Sequence, residues 1–97
     1  GADAMRQMLR AYRAVLSEFR WLSLDHVKNP PRTMLDAKLA RQVAIHLMVN
    51  RMGIEQRQIA RLQGRQRTSI HFALQTVNER LENPEFKASY HRMERGL

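Results

Sequence analysis

The sequence predicts an all-α domain of about five helices, and three observations carry that expectation. Apolar residues recur at intervals of three and four along most of the chain, and no segment makes a convincing strand. Helix stop and start signals fall between those runs, at Asn29-Pro30-Pro31, Gly53, Gly64 and Asn83-Pro84. Ninety-seven residues make one domain's worth of chain, and with no cysteine there is no disulfide or thiolate chemistry. No apolar run approaches the roughly 20 residues of a membrane-spanning helix, and no repeat or low-complexity linker divides the chain. It opens Gly1-Ala2, with its first methionine at Met5, an opening compatible with a piece cut from a longer protein.

Each element has its own warrant. From Asp3, a candidate N-cap, the residues Met5, Met8, Leu9, Tyr12, Leu16, Phe19 and Leu22 follow helical spacing, with Arg6, Arg10, Arg13 and Arg20 on much of the other side. Prolines 30 and 31 end that pattern, because proline lacks an N–H and restricts the residue before it. Residues 1–30 therefore read as an amphipathic helix with its linker, and 31–97 as the main unit. Thr33 and Asp36 have the spacing of a capping box for a helix running to Met52. Its apolar surface (Leu39, Ala40, Val43, Ala44, Ile45, Leu47, Met48) is wide enough for a central helix touched from two sides. Gly53 suits a left-handed helix end. A short helix over 55–63 follows, then Gly64, then a helix starting near Arg67-Thr68. The core stripe of that helix is Ile70, Ala73, Leu74, Val77 and Leu81. Asn83 and Pro84 start the closing helix, which carries Phe86, Tyr90 and Met93.

Charge gives this helical chain a direction. Seventeen Lys and Arg stand against nine Asp and Glu, a net +8 that favours a polyanionic partner. Residues 38–80 hold eight bases and two acids, whereas 1–37 hold six and four and 81–97 three and three. Between Glu55 and Glu79 there is no acid, and Arg57, Arg61, Arg65 and Arg67 lie inside that interval. Two helices joined at Gly64 have the form of a helix-turn-helix. At ~100° per residue, Phe72 falls about 200° from Ile70, beside Thr68, Ser69 and Thr76. An aromatic opposite the core either meets DNA, where an apolar group can touch a thymine methyl, or is covered by another part of the chain.

The stretches Ala40-Arg41-Gln42-Val43-Ala44-Ile45-His46-Leu47, Gln58-Ile59-Ala60-Arg61-Leu62 and Gly64-Arg65-Gln66-Arg67-Thr68-Ser69-Ile70 resemble the C-terminal, domain IV DNA-binding domain of the bacterial replication initiator DnaA. They are more similar still to small alphaproteobacterial helix-turn-helix proteins and to gene-transfer-agent or phage-type activators, whose Asp-Pro-x-Phe is echoed by Asn83-Pro84-Glu85-Phe86. The resemblance spans roughly residues 36–90. It implies a Trp-repressor-like helix-turn-helix that reads duplex DNA. Arg65, Gln66, Arg67, Thr68 and Ser69 then stand at the base-reading turn and helix start. Gln56 and Arg57 stand where the family grips phosphate, and Arg32 and Thr33 where it sends arginine into the minor groove.

The departures limit what can be carried over. Gln66 replaces an acidic base reader, Arg67 a histidine and Phe72 a later histidine, so the family's recognition sequence is not expected here. An amide both donates and accepts, which makes adenine a suitable partner for Gln66. One glycine of the turn is missing, and Gln63 occupies an aromatic core position; either Leu62 fills that role or the turn packs differently. No Gly-x-x-x-x-Gly-Lys-Ser/Thr loop supplies nucleotide binding. His26, His46, His71 and His91 show no metal-ligand spacing, so neither an enzyme nor a metal or other cofactor is expected.

The expected function is sequence-preferring binding of double-stranded DNA, as the DNA-binding domain of a transcription regulator in the cytoplasm, at the bacterial nucleoid. Arg65, Gln66, Arg67, Thr68, Ser69 and Phe72 are the expected base readers. Arg32, Thr33, Lys38, Gln56, Arg57 and Arg61 are the expected backbone or minor-groove contacts. The alternative is a protein–protein adaptor or replication-initiation accessory protein. Its N-terminal helix, around Met5, Met8 and Tyr12, would meet RNA polymerase or another protein. Neither a membrane nor a small-molecule ligand is expected.

Overall fold

The broadest apolar run becomes the centre of the molecule. In a computed structural model that describes residues 2–97, Gly1 of the 1–30 segment lies outside the described residues. Six helices form: α1 (Ala2–Leu16), α2 (Leu24–Lys28), α3 (Leu35–Asn50), α4 (Gln56–Gln63), α5 (Arg67–Arg80) and α6 (Pro84–Arg95). Among the described residues there is no strand. Ala37, Ala40, Val43, Ala44, Ile45, Leu47 and Met48 of α3 are wholly buried, which requires cover on more than one face. Helices α1, α2 and α5 supply it, while α4 packs on α5 and α6 touches α1. The alanines of α3 and Ala11 of α1 keep side chains short between the helices, so their axes approach closely.

Three expectations for the first third of the chain are corrected. The buried face of α1 is Ala4, Met8, Ala11, Tyr12, Ala14 and Val15, whereas Met5 is exposed. Small alanines, not only the largest apolar residues, make the seam against the alanine-rich α3. The helix also stops at Leu16 rather than running on to Leu22. Ser17 donates its hydroxyl to the Ala14 carbonyl at 2.6 Å, and the amides of Ser17 and Glu18 bond three residues back, tightening the chain into a turn. Phe19 and Leu22 still reach the core, which is why the apolar rhythm continues across the break. Ser23 then caps α2 by accepting from the His26 amide at 3.1 Å. Lastly, Thr33 does not cap α3. Met34 holds the cap position without a side-chain bond, and Asp36 accepts from the Ala37 amide and the Trp21 indole.

Polar links lock the far side. His46 of α3 sits between Asn78 of α5 (2.8 Å) and Tyr90 of α6 (2.6 Å). The Asn78 carbonyl oxygen can only accept, so the His46 Nε2 proton points at it and Nδ1 receives the Tyr90 hydroxyl. Burial pushes the Tyr90 phenol up to about 12 and keeps it a donor. Glu18, in the turn after α1, accepts from Ser89 at 2.9 Å and from Arg92 at 2.8 Å, which ties that turn to α6. Asn83 caps α6 through the Phe86 amide at 3.0 Å, as its sequence signal predicts.

Candidate nucleic-acid interface

The turn between α4 and α5 is closed by glycine. Gly64 has φ +63°, the left-handed conformation that a side chain resists, and its amide bonds to the Arg61 carbonyl at 3.2 Å. The Arg65 amide bonds back to Ala60 at 2.9 Å, so two carbonyls at the end of α4 are satisfied. Gln66 is extended and precedes α5 without a side-chain cap, and the first turn of α5 has no acid. Unmet N–H groups and the positive end of the helix dipole therefore face outward beside three basic or amide side chains.

The sequence-predicted base readers gather here. Arg65, Gln66, Arg67 and Thr68 are exposed, and Ser69 is half-buried. Ile70, Ala73 and Val77 turn into the core, and Phe72 stands 65% exposed. Two open grooves flank its ring. One runs along Arg65, Gln66 and Ser69, and the other along Gln56, Arg67 and His71, with Thr68 shared between them. A third concavity joins Gln56, Arg57 and Arg67 under the loop before α4. The grooves thus join Gln56 and Arg57 to the Arg67 side of this cluster. Arg57 is also 3.6 Å from Glu55, an exposed pair that tempers its charge.

Known protein families, curated proteins and solved structures offer no match to this chain. Its chemistry rests on its own side chains. Arg32, Thr33, Lys38 and Arg61 are all exposed, but none lines the three grooves. Arg32 and Thr33 lie in the loop before α3, Lys38 near the start of α3 and Arg61 on α4. Among the described residues no group of three or more His, Cys, Asp or Glu is placed to hold a metal ion. Among the described residues no helix is long and apolar enough to cross a membrane.

Two side chains behind the turn were given no role by the residue pattern. Arg41 of α3 is only 7% exposed, and among the described residues it has no carboxylate partner. Its Nη1 donates to Gln63 at 3.2 Å and its Nε meets no acceptor. Burial, with the Arg65 charge nearby, brings the guanidinium down to about 10, so it stays charged at neutral pH. Gln63 completes the arrangement by donating to the Tyr12 hydroxyl at 2.8 Å. Both alternatives for the missing aromatic therefore contribute. Leu62 packs on the core, and Gln63 turns into a polar network instead.

Proposed function

We propose that this chain binds double-stranded DNA with sequence preference through the α4–α5 helix-turn-helix, as the DNA-binding part of a transcription regulator. The observation that carries the reading is an exposed Phe72 on the outer face of a helix whose amino end is rich in arginine and free of acid. In a major groove, the start of α5 meets the bases. Arg65 and Arg67 pair with guanine edges or flanking phosphates, Gln66, Thr68 and Ser69 supply hydrogen bonds, and Phe72 meets a thymine methyl. Gln56, Arg57, Arg61, Lys38, Arg32 and Thr33 hold backbone or minor groove. The buried charge of Arg41 adds to the positive field behind the turn.

The resemblance to the DnaA domain IV helix-turn-helix belongs to the same proposal. It is supported by the residue pattern over 40–47, 58–62 and 64–70 and by the fall of those stretches on α3, α4 and the turn into α5. Action at the bacterial nucleoid follows from it. The protein-partner reading has its own observation: Met5, Trp21 and Leu35 are 59%, 65% and 74% exposed, outside the helix-turn-helix. However, Met8 and Tyr12, expected beside Met5 in that surface, are buried.

Selection of bound sequences from a random duplex pool tests the reading. The expected result is an enriched motif whose affinity falls by about 0.9 log unit per log salt for each phosphate neutralised. Failure to enrich any motif overturns it. With the site in hand, Arg67→Ala should weaken specific binding by about 1–3 kcal/mol. A band-shift titration at fixed salt that shows unchanged affinity removes Arg67 from the base readers.

A further inference from the structure

Gln63 is the last residue of α4 and immediately precedes Gly64, whose conformation sets where Arg65 and Arg67 stand. Its side chain has two partners on two other helices. Arg41 can only donate, so it takes the Gln63 oxygen (3.2 Å), and the amide nitrogen is left for the Tyr12 oxygen (2.8 Å). The orientation of the amide is therefore fixed by its surroundings. Tyr12 is itself 2% exposed and lies on the buried face of α1. Burial raises its phenol above the ordinary value of 10.0, so it remains neutral at neutral pH. One hydrogen-bonded line thus runs from α1 through the end of α4 to α3, at the base of the reading turn.

We propose that Tyr12 is a positioning residue for DNA recognition, and that α1 is part of the reading unit rather than only a surface for another partner. This rests on the DNA-binding reading above. Tyr12 touches no DNA. It holds the Gln63 amide, Gln63 holds the end of α4, and the turn then presents Arg65 to Arg67 in one geometry. Sites of this kind need their contacting side chains held to within about 0.5 Å, which packing behind them must supply. Tyr12→Phe removes one oxygen from a buried ring and leaves every charge in place. Gln63→Leu keeps approximate volume and removes the amide.

Tyr12→Phe is expected to lower affinity for the selected duplex by up to about 10-fold, the limit reached when the whole worth of one hydrogen bond goes into loosening the unbound turn. Affinity for random duplex and the salt slope should stay unchanged, since no cation is lost. In a double-mutant cycle with Gln63→Leu the losses should not add, because both break the same line. An unchanged ratio of specific to random binding in Tyr12→Phe, or additive losses, overturns the proposal. A DNA-free measurement separates this outcome from failure of the DNA reading itself. In the free protein, hydrogen exchange at the Gly64 and Arg65 amides should quicken in Tyr12→Phe while α6 amides keep their protection. No change at those two amides overturns the positioning role whatever the duplex selection yields.

Discussion

At position 72 a phenylalanine keeps 65% of its surface in water, while Ile70 and Ala73 beside it in sequence keep none. Its ring is no part of the core, so under the DNA-binding proposal stability and recognition separate at this residue. Phe72→Ala should change unfolding free energy by no more than about 0.5 kcal/mol, as surface substitutions do. Binding to the selected duplex should weaken measurably. A thermal melt read beside a binding titration checks both halves, and a sharp loss of melting temperature would contradict the exposed placement. Phe72 was legible because helical geometry is local: counting residues from Ile70 suffices to put it opposite the core. Gln63 was not, because its hydrogen-bond partners lie 22 and 51 positions away in the chain. A polar residue at an apolar position signals only that something unusual is there. Arg41 illustrates the same limit, since nothing in its neighbours along the helix says that its charge will be buried without an acid.

Among the elements, the α4–α5 turn has the simplest dependence on one residue. A Cβ added to Gly64 would meet no atom within 4 Å, so steric crowding by neighbours plays no part. What opposes a side chain is the positive φ alone. Gly64→Ala should therefore destabilise by about 1 kcal/mol, and Gly64→Asn by less, because asparagine tolerates the left-handed region better. Denaturant midpoints of the two variants check the order. The helices over 35–50, 67–80 and 84–95 were legible nearly to the residue, because long apolar periodicity and Asn83-Pro84 mark them locally. The break at Leu16 was not, since Phe19 and Leu22 keep the helical rhythm while occupying a turn and its exit. Periodicity reports which residues seek the core and not whether the backbone between them stays helical. At the start of α3 a sound local signal loses to a tertiary one: the Asp36 carboxylate takes the Trp21 indole, and Thr33 is left exposed.

Over the whole molecule, the three-helix junction at His46 makes stability depend on pH. Burial holds its pKa below the ordinary 6.5, ahead of the opposing bond to Asn78. The unfolded chain therefore binds a proton more readily than the fold does. The resulting stabilisation is fully present above about 6.5 and is lost as pH falls through the lower folded value. Melting temperatures taken at steps from pH 7.5 downward should fall across that window. His46→Gln should flatten this part of the profile, and an identical profile in the variant would remove His46 as its cause. The net +8 has a similarly global meaning, with eight bases against two acids in residues 38–80 and near balance in 81–97. Charge of this kind was legible as soon as it was counted. The two grooves beside Phe72 and the concavity at Arg57 were not, because they depend on how α4 and the loop before it meet the start of α5.

The clasp of Glu18 by Ser89 and Arg92 joins residues 71 and 74 positions apart. Both partners of Glu18 lie on α6, so this fastening of the turn after α1 exists only while α6 is docked. The Tyr12–Gln63 hydrogen bond spans 51 positions, a shorter loop, and does not involve α6. Local opening of α6 therefore frees the turn after α1 and can leave the Tyr12–Gln63 link in place.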